Sequence, residues 1–289
     1  MTRLSNGRTV ELRDGRRMPR LGMGTWYLAG GLHPWEVELS ALRAGLDVGV
    51  RLIDTAEMYG DGAAEEMVGD AIRGRRREDL FIVSKVYPYN AGRKGIFCAL
   101  NRSLARLGTD YLDLYLLHWR GQIPLAETVE CMEELVESGK IGGWGVSNFD
   151  LDDMEELMRV DGGEHCLVNQ DLYHLGSRGV EFDLLPWMRQ RRIPLMAYCP
   201  LAQAGRLRQG LVDSKAVHEV AAAHGITPMQ VLLAFVLHDQ NVIAIPRSSS
   251  ARHVRQNWST IDVELTAEDM ALLNEEFPPP NYRMPLDME

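Results

Sequence analysis

The chain has 289 residues, of which 45% are hydrophobic and 25% are charged, and this length and composition suffice for one large core. The formal net charge of −10 at pH 7 argues against a nucleic-acid or anionic-membrane partner, because phosphate groups are bound by basic surfaces. The basic run at Arg73 and 75–77 lies at the end of a predicted helix, where cations complement the helix dipole.

Cysteine spacing and the N-terminal segment predict the compartment. The four cysteines, Cys98, Cys131, Cys166 and Cys199, form no CxxC pair and lie near no histidine at a zinc-like spacing, so no metal site is expected. We interpret them as small buried thiols of a reducing compartment. The first residues, MTRLSNGRTV, lack an apolar stretch of signal-peptide length, and no run of about 18 apolar residues occurs. These features predict a soluble cytoplasmic protein, which we expect to be a monomer.

The predicted elements begin with a hairpin and continue as eight short apolar runs. The segment TVELRDGRRMP contains two extended pieces around Asp14-Gly15, which is typical of a hairpin. The runs that follow are rich in Val, Ile and Leu: RLGMG (20–24), RLID (51–54), LFIVSK (80–85), YLDLYLLH (111–118), IGGWGVSN (141–148), CLVNQ (166–170), IPLMAY (193–198) and NVIAIP (241–246). Such runs indicate strands that are buried on both faces.

Helical spacing separates these runs. It is present in PWEVELSALRAGLDVG, AAEEMVGDAIRG, GIFCALNRSLARLG, LAETVECMEELVESG, LDDMEELMRV, VEFDLLPWMRQ, KAVHEVAAAHG and TPMQVLLAFVLHDQ. Eight strands that alternate with helices, without a linker, predict an α/β fold, a (β/α)8 TIM barrel formed by residues 1–289 as a single domain. The preceding hairpin has no place among the eight strands, so we expect it to close the bottom of the barrel.

Polar and aromatic residues stand at the ends of the predicted strands, where the active sites of such barrels lie. They are Trp26, Asp54, Tyr59, Lys85, His118, Trp119, Ser147, Asn148, Asn169, Gln170 and Tyr198. Each one alone is more often a turn, cap or packing residue. Four titratable groups from three successive strands are harder to explain in that way.

The quartet Asp54, Tyr59, Lys85 and His118 suits a proton-donating carbonyl site. A free tyrosine has a pKa of about 10, and a nearby ammonium such as Lys85 is expected to lower it. Asp54 would compensate the buried charge of Lys85. His118, as a neutral imidazole, would orient a carbonyl oxygen beside the tyrosine hydroxyl. Tyr59 is thus the predicted general acid.

The motifs that carry these residues resemble those of a known family. The strings GMGTW, LIDTAEMYG, VSKV, DLYLLHW, WGVSN, NQ, AYCPLAQ and AIPRSSS occur in the order found in aldo-keto reductases. The longer motifs LIDTAEMYGDGAAEEMVG and NQDLYHLGSRGVEFDLLPW are most similar to bacterial methylglyoxal reductase-type members. The resemblance implies the same roles for Tyr59, Lys85, Asp54 and His118 as the chemistry of the residues does.

A nicotinamide cofactor is expected to bind across the barrel mouth, because no Rossmann fingerprint is present. Ser147, Asn148 and Gln170 offer the donors and acceptors that a carboxamide needs, and Tyr198 offers a ring for stacking. The resemblance implies these same roles, and it also implies that Leu201, Gln203 and Gly205 lie over the pyrophosphate and that Asn257 contacts adenine.

The segment PRSSSARHVRQN predicts the phosphate end of the cofactor site. Arg247, Arg252, His253 and Arg255 surround three serines that can cap a helix, and cations at a helix start favour a bound anion. A 2′-phosphate would supply that anion, so NADPH is favoured over NADH. Ser248 and Gln256 belong to the same predicted site. Members of the family commonly have Lys where this chain has Arg247, and often Arg where it has His253. The first difference keeps the charge, whereas the second bears on the strength of the preference for a 2′-phosphate.

The predicted substrate wall consists of Trp26, Tyr27, Tyr87 and Trp119, which favours small aldehydes and ketones such as methylglyoxal and related 2-oxoaldehydes. The short tail PPPNYRMPLDME predicts an open pocket with broad specificity. Three alternatives stay open: a 2,5-diketo-gluconate-type keto-sugar reductase, a Schiff-base aldolase with Lys85 as nucleophile, and a non-catalytic NADPH-sensing subunit.

Overall fold

The N-terminal hairpin packs against the starts of the barrel strands. The computed structural model describes residues 6–202 and 206–289. Strands β1 (Thr9–Glu11) and β2 (Arg17–Pro19) pair in antiparallel fashion. The hairpin residues Val10 and Met18 are buried in one cluster with Leu52, Phe81 and Leu114, each of which begins a barrel strand. The hairpin therefore closes the bottom of the barrel, as predicted.

Eight parallel strands form the barrel. They are β3 (Gly22–Gly24), β4 (Leu52–Asp54), β5 (Phe81–Val86), β6 (Leu114–Leu117), β7 (Trp144–Ser147), β8 (Asn169–Leu172), β9 (Leu195–Tyr198) and β10 (Val242–Ala244). Each strand pairs with the next along the chain. Bridges from Leu21 to Ala244 and from Gly24 to Arg247 join the first strand to the last. The predicted (β/α)8 barrel is confirmed.

Helices surround the barrel. They are α1 (Trp35–Val48), α2 (Ala63–Ile72), α3 (Ile96–Leu107), α4 (Leu125–Glu137), α5 (Leu151–Met158), α6 (Leu184–Gln190), α7 (Arg206–Val212), α8 (Lys215–His224), α9 (Pro228–His238), α10 (Ala251–Ser259) and α11 (Ala267–Glu276). Capping boxes at Asp150, Thr227 and Thr266 start three of them. Neither α7 nor α11 was predicted, because α7 is short and contains a glycine and α11 is only weakly amphipathic.

Two local predictions need correction. The run CLVNQ (166–170) overlaps its strand only at Asn169 and Gln170, because β8 starts at Asn169 and continues through polar but buried residues to Leu172. The cysteines are all free, as expected, but only Cys131 and Cys166 are buried. Cys98 lies on the outer face of α3, and Cys199 is half-buried because it follows β9 at the mouth.

Within residues 6–202 and 206–289, no single helix is long and apolar enough to cross a membrane. The helices α8 and α9 meet the requirements of length and composition only as a pair that is bent by 89°.

Candidate active site

The carboxyl ends of the barrel strands surround one cavity of about 450 Å³. Parallel strands of a closed barrel all end at the same mouth, so residues far apart in sequence meet there. The predicted residues that line the cavity are Trp26, Tyr27, Asp54, Tyr59, His118, Trp119, Ser147, Asn148, Gln170, Tyr198, Leu201 and Arg247. Gln203 and Gly205 lie outside the described residues.

The loop between β4 and α2 carries Tyr59 into this cavity. Tyr59 opens a short turn in which Gly60, Asp61 and Gly62 have φ angles of 57°, 52° and 97°. Glycine adopts this left-handed region without steric cost. A Cβ at Gly62 would also lie 2.3 Å from the guanidinium carbon of Arg106. The turn thus depends on glycine, and it leaves the Tyr59 side chain buried.

Lys85 lies at the centre of the predicted quartet. Its Nζ donates to Asp54 Oδ2 at 2.7 Å, to the Thr55 carbonyl at 2.9 Å and to Tyr59 Oη at 3.0 Å. The Lys85 side chain is completely buried and that of Asp54 is 2% exposed. The other Asp54 oxygen accepts a hydrogen bond from Gln170 Nε2 at 2.8 Å. Three acceptors therefore satisfy the three N–H donors of the ammonium.

Burial decides the pKa values around this pair. It lowers the pKa of Lys85 and raises that of Asp54, while the opposite charge of each partner opposes the shift. Burial, followed by the Asp54 charge, raises the pKa of Tyr59 well above its ordinary value. The expected lowering by Lys85 was therefore wrong for the net direction of the Tyr59 pKa, because burial and then the Asp54 charge outweigh the nearby ammonium. Tyr59 holds its proton at neutral pH.

His118 follows β6 as a neutral imidazole. Burial, and then the charge of Lys85, place the pKa of His118 well below its ordinary value. Its ring centroid lies 5.7 Å from that of Tyr59, and its buried Nδ1 has no hydrogen-bond partner among the described residues. A neutral ring beside the phenol can bind a carbonyl oxygen through its N–H, as predicted from the residue types.

A hydrogen-bond network joins the predicted carboxamide residues to the quartet. Asn148 Nδ2 donates to the His118 carbonyl at 3.1 Å, and Asn148 Oδ1 accepts from Tyr198 Oη at 2.8 Å. Ser147 Oγ donates to the main-chain oxygen of Gln170 at 2.8 Å. The remaining strand-end amide, Asn169, donates instead to the Phe149 carbonyl at 2.8 Å and is not among the residues that line the cavity.

A second cavity of about 420 Å³ extends from the first along α10. The predicted residues Arg247, Ser248, Arg252, His253, Gln256 and Asn257 all line it. The Ser250 side chain caps α10 by accepting from the His253 N–H, so the helix start faces a group of cations. Arg255 is exposed and is not among the lining residues.

Two charged residues near Arg247 were not predicted. Arg208 on α7 lines both cavities and donates to the carbonyls of Leu201 and Ala202 at 2.9 and 2.6 Å. Glu38 on α1 is completely buried and lies 3.7 Å from Arg247 Nη2. In the sequence, Glu38 looks like an acidic residue of a first helical turn, and no motif distinguishes Arg208.

The aromatic wall assembles largely as predicted. Trp26 packs against Tyr59 with a centroid distance of 5.0 Å and against Tyr27 at 5.4 Å. Trp119 packs against Tyr87 at 5.8 Å. Tyr87 itself lies behind Trp119 and is not among the residues that line the cavity, so its contact with a substrate would be indirect.

The C-terminal tail reaches the mouth, contrary to the expectation of an open pocket. Arg283 pairs with Asp152 at 3.0 Å and with Asp183 at 3.3 Å. Beyond this anchor, Met288 and Glu289 line the first cavity. The Cys199 thiol donates to Glu289 Oε2 at 2.8 Å. The length of the tail alone does not reveal its path, because these long-range ion pairs have no signal in the sequence.

Comparison with known proteins agrees with this architecture. The sequence model of the Aldo/keto reductase family matches residues 20–276. The chain is 53% identical to the methylglyoxal reductase YeaE of Escherichia coli (strain K12), over 94% of this chain and 95% of the other. It is 36% identical to a glyoxal reductase of Bacillus subtilis (strain 168), over 91% of this chain and 90% of the other.

A solved structure provides the same result at the level of the fold. An aldo/keto reductase from Klebsiella pneumoniae, in complex with NADP and acetate, superposes with a TM-score of 0.94 at 53% identity. The alignment covers 98% of this chain and 99% of that one. Together with the barrel and the buried Lys85–Tyr59 contact, these matches show that the chain belongs to the aldo/keto reductase family.

Proposed function

We propose that this protein reduces small aldehydes and ketones to alcohols with NADPH, and that methylglyoxal or a related 2-oxoaldehyde represents its substrate class. The observation that carries the proposal is the buried contact of Lys85 Nζ with Tyr59 Oη at 3.0 Å and with Asp54 at 2.7 Å. This contact would hold a proton donor in a cavity that is walled in part by aromatic side chains. The relatives named as methylglyoxal and glyoxal reductases support the substrate class.

The two cavities fit a dinucleotide cofactor. Arg247 Nε is buried without a hydrogen-bond partner in the described part of the chain, and such a donor suits an anionic ligand. NADPH, when bound, supplies the hydride. Ser147, Asn148 and Gln170 would hold its carboxamide and Tyr198 would stack on the ring. Leu201, with Gln203 and Gly205 by resemblance, would cover the diphosphate.

The second cavity would hold the adenosine end. Arg247, Ser248 and His253 would bind the 2′-phosphate, and Gln256 and Asn257 would contact the adenine. Among the described residues, neither Asp nor Glu lines this cavity, and the carboxylate of Glu38 lies behind Arg247 at 3.7 Å. The bound NADP of the Klebsiella pneumoniae relative supports the cofactor choice.

Tyr59 would act as the general acid. Its raised pKa keeps the phenol protonated at neutral pH, and the phenol would donate that proton to the carbonyl oxygen. The ammonium of Lys85 would then stabilise the phenolate through the contact already present. Asp54 keeps Lys85 charged and fixed, and neutral His118 would orient the carbonyl oxygen. Trp26, Tyr27 and Trp119 would exclude water, with Tyr87 supporting Trp119.

The alternatives are less well supported. A Schiff-base aldolase needs Lys85 as an accessible amine, whereas its ammonium is completely buried and makes three hydrogen bonds. A keto-sugar reductase needs polar partners for many hydroxyl groups, whereas apolar surface predominates in the lining of the first cavity. An NADPH-sensing subunit would bind the cofactor with negligible turnover, so steady-state rates separate it from an enzyme.

We propose that residues 1–289 act as one domain, as a monomer in the cytoplasm. Four free thiols suit a reducing compartment.

An NADPH-oxidation assay against aldehydes, dicarbonyls and keto-sugars tests the function. We expect turnover to be fastest with 2-oxoaldehydes, and we expect Tyr59→Phe to reduce kcat by about 10²- to 10⁴-fold, the usual contribution of a general acid. NADPH binding, followed by tryptophan fluorescence, should be unchanged in this variant. A wild-type rate in Tyr59→Phe would refute the mechanism.

A further inference from the structure

The loop after β3 carries part of the aromatic wall in a strained conformation. Residues 26–29 form this wall loop, which includes Trp26 and Tyr27 of the first cavity. Tyr27 and Ala29 have φ angles of 61° and 58°. Residues other than glycine persist in this left-handed region only where surrounding contacts enforce it. The position of the wall therefore depends on the contacts that hold these two residues.

Two side chains from distant segments hold the two strained residues. Glu38 Oε2 on α1 accepts a hydrogen bond from the Ala29 N–H at 2.7 Å. Arg247 Nη2, after β10, donates to the Tyr27 carbonyl at 3.2 Å. Between these contacts, Leu28 is buried in the main core and fixes the depth of the loop. The two hydrogen bonds fix the orientation of the peptide groups on either side of Leu28.

Glu38 is the more deeply buried of the two side chains. It is completely buried, whereas Arg247 is 31% exposed. The other carboxylate oxygen, Glu38 Oε1, is buried without a hydrogen-bond partner among the described residues. Arg247 Nη2 lies 3.7 Å from it, which is beyond hydrogen-bonding distance. Within the described part of the chain, the one short hydrogen bond of this carboxylate therefore goes to the wall loop.

We propose that Glu38 is a positioning residue for the substrate, an inference that deepens the proposed function and rests on it. Through the Ala29 N–H, Glu38 holds Trp26 and Tyr27 in the wall of the first cavity. The wall offers apolar surface to the group that the aldehyde carries. Glu38 therefore contributes to the affinity for aldehydes, and its contribution grows with the size of their apolar group.

The proposed proton donor is held independently of this loop. Trp26 packs against Tyr59 with a centroid distance of 5.0 Å, so the wall stands directly beside the phenol. The Tyr59 hydroxyl, however, accepts its hydrogen bond from Lys85 at 3.0 Å, and Lys85 lies on β5. Loss of Glu38 should therefore impair the binding of the aldehyde and leave the proton transfer intact.

The charge of Glu38 also acts on Arg247. Burial lowers the pKa of Arg247, and the Glu38 charge opposes that shift. In the proposed function Arg247 binds a phosphate of the cofactor, and a carboxylate so close to the guanidinium offsets its attraction for that phosphate. Removal of Glu38 should therefore leave the affinity for NADPH unchanged or higher. Cofactor affinity thus separates a defect in the wall from a defect in the cofactor site.

Two variants of Glu38 test the proposal. Glu38→Met removes the acceptor for the Ala29 N–H at a similar side-chain length, whereas Glu38→Gln keeps an acceptor oxygen and removes the charge. Steady-state rates are measured with NADPH and two 2-oxoaldehydes of different size, methylglyoxal and phenylglyoxal, and NADPH affinity is measured by isothermal calorimetry. Glu36→Met is the control, because it makes the same change at an exposed residue of the same helical turn.

The expected result is a selective rise in KM. Glu38→Met should raise KM for phenylglyoxal about 10-fold, the lower end of what a hydrogen bond to a charged group contributes, and KM for methylglyoxal by less. The kcat values should stay within about threefold of wild type, because loss of uniform binding raises KM alone. Glu38→Gln and Glu36→Met should keep both KM values of the wild type. NADPH affinity should not fall in any variant.

Four results would each overturn the assignment. They are an unchanged KM for phenylglyoxal in Glu38→Met, an equal rise for both aldehydes, a fall in kcat or NADPH affinity as large as the rise in KM, and a Glu38→Gln variant as impaired as Glu38→Met. If Glu38→Met does not fold, Glu38→Asp takes its place under the same criteria, because its shorter side chain withdraws the acceptor from Ala29. A wild type that reduces neither aldehyde with NADPH would instead refute the proposed function, and this assignment with it.

Discussion

Removal of Lys85 should leave an uncompensated carboxylate in the barrel. In Lys85→Met, Asp54 loses its 2.7 Å partner but keeps the bond from Gln170 at 2.8 Å. Removing one partner of a buried ion pair costs about 3–5 kcal/mol of stability. Methionine is similar in length to lysine, so the substitution should add little further loss from an empty cavity. We therefore expect the free energy of unfolding to fall by about this amount at pH 7.

The stability deficit of Lys85→Met, which is its loss in free energy of unfolding relative to wild type, should depend on pH in a defined direction. The pKa of the buried Asp54 is raised above its unfolded value, which is about 3.9, and loss of the Lys85 charge raises it further. The folded variant then binds a proton that the unfolded chain has released, so the deficit is absent below about pH 4 and grows as pH rises toward the folded pKa. The deficit at pH 5 should be smaller than at pH 7.

Urea denaturation, followed by the fluorescence of the six tryptophans, measures these differences. The double variant Asp54→Asn/Lys85→Met removes both charges and should recover more than half of the stability lost in the single variant. Asp70→Asn is the matched control, since its partner Arg73 is 81% exposed and such pairs contribute less than about 1 kcal/mol. A double variant as unstable as Lys85→Met, or a deficit that grows on acidification, would refute the reasoning.

Three further predictions concern the proton donor, the tail and the turn. The pKa of His118 is lowered and that of Tyr59 is raised, so kcat/KM for methylglyoxal should not change between about pH 6.5 and 10, the ordinary pKa values of the two groups. An inflection inside this interval in a steady-state pH profile would contradict this prediction. Glu289→Gln removes a carboxylate from the first cavity and should raise kcat/KM for anionic 2-oxo acids several-fold relative to methylglyoxal, whereas Glu275→Gln on the exposed face of α11 should leave the ratio unchanged. Gly62→Ala, with its clash at 2.3 Å, should lower the free energy of unfolding more than Gly60→Ala, whose nearest neighbour is 3.4 Å away; the left-handed region alone costs about 1–2 kcal/mol, and equal losses in thermal unfolding would show that the Arg106 contact is unimportant.

The predicted quartet was visible in the sequence for a physical reason. Asp54 and Lys85 end short apolar runs and His118 follows one, and parallel strands bring such ends to one mouth whatever the intervening helices contain. Tyr59 stands five residues after its strand, in a loop whose glycines are also evident. Topology therefore predicts that these side chains meet before any distance is known.

Other features depend on contacts between distant segments. The Glu38–Arg247 pair joins α1 to the segment after β10, and Glu289 reaches Cys199 from the far end of the chain. In the sequence, Glu38 is an ordinary acidic residue of a first helical turn. The pKa direction of Tyr59 was also predicted wrongly, because burial and the Asp54 charge together outweigh the nearby ammonium.

The sequence by itself determined the eightfold alternation of strands and helices, the closing hairpin and the residues at the strand ends. These depend on local periodicity and on the geometry common to all parallel barrels. The tertiary structure alone decided how the tail enters the mouth, which arginines line both cavities and which protonation state burial favours. Those properties depend on the distances and desolvation of groups up to 220 residues apart, as between Tyr27 and Arg247, and such distances have no local signature in the chain.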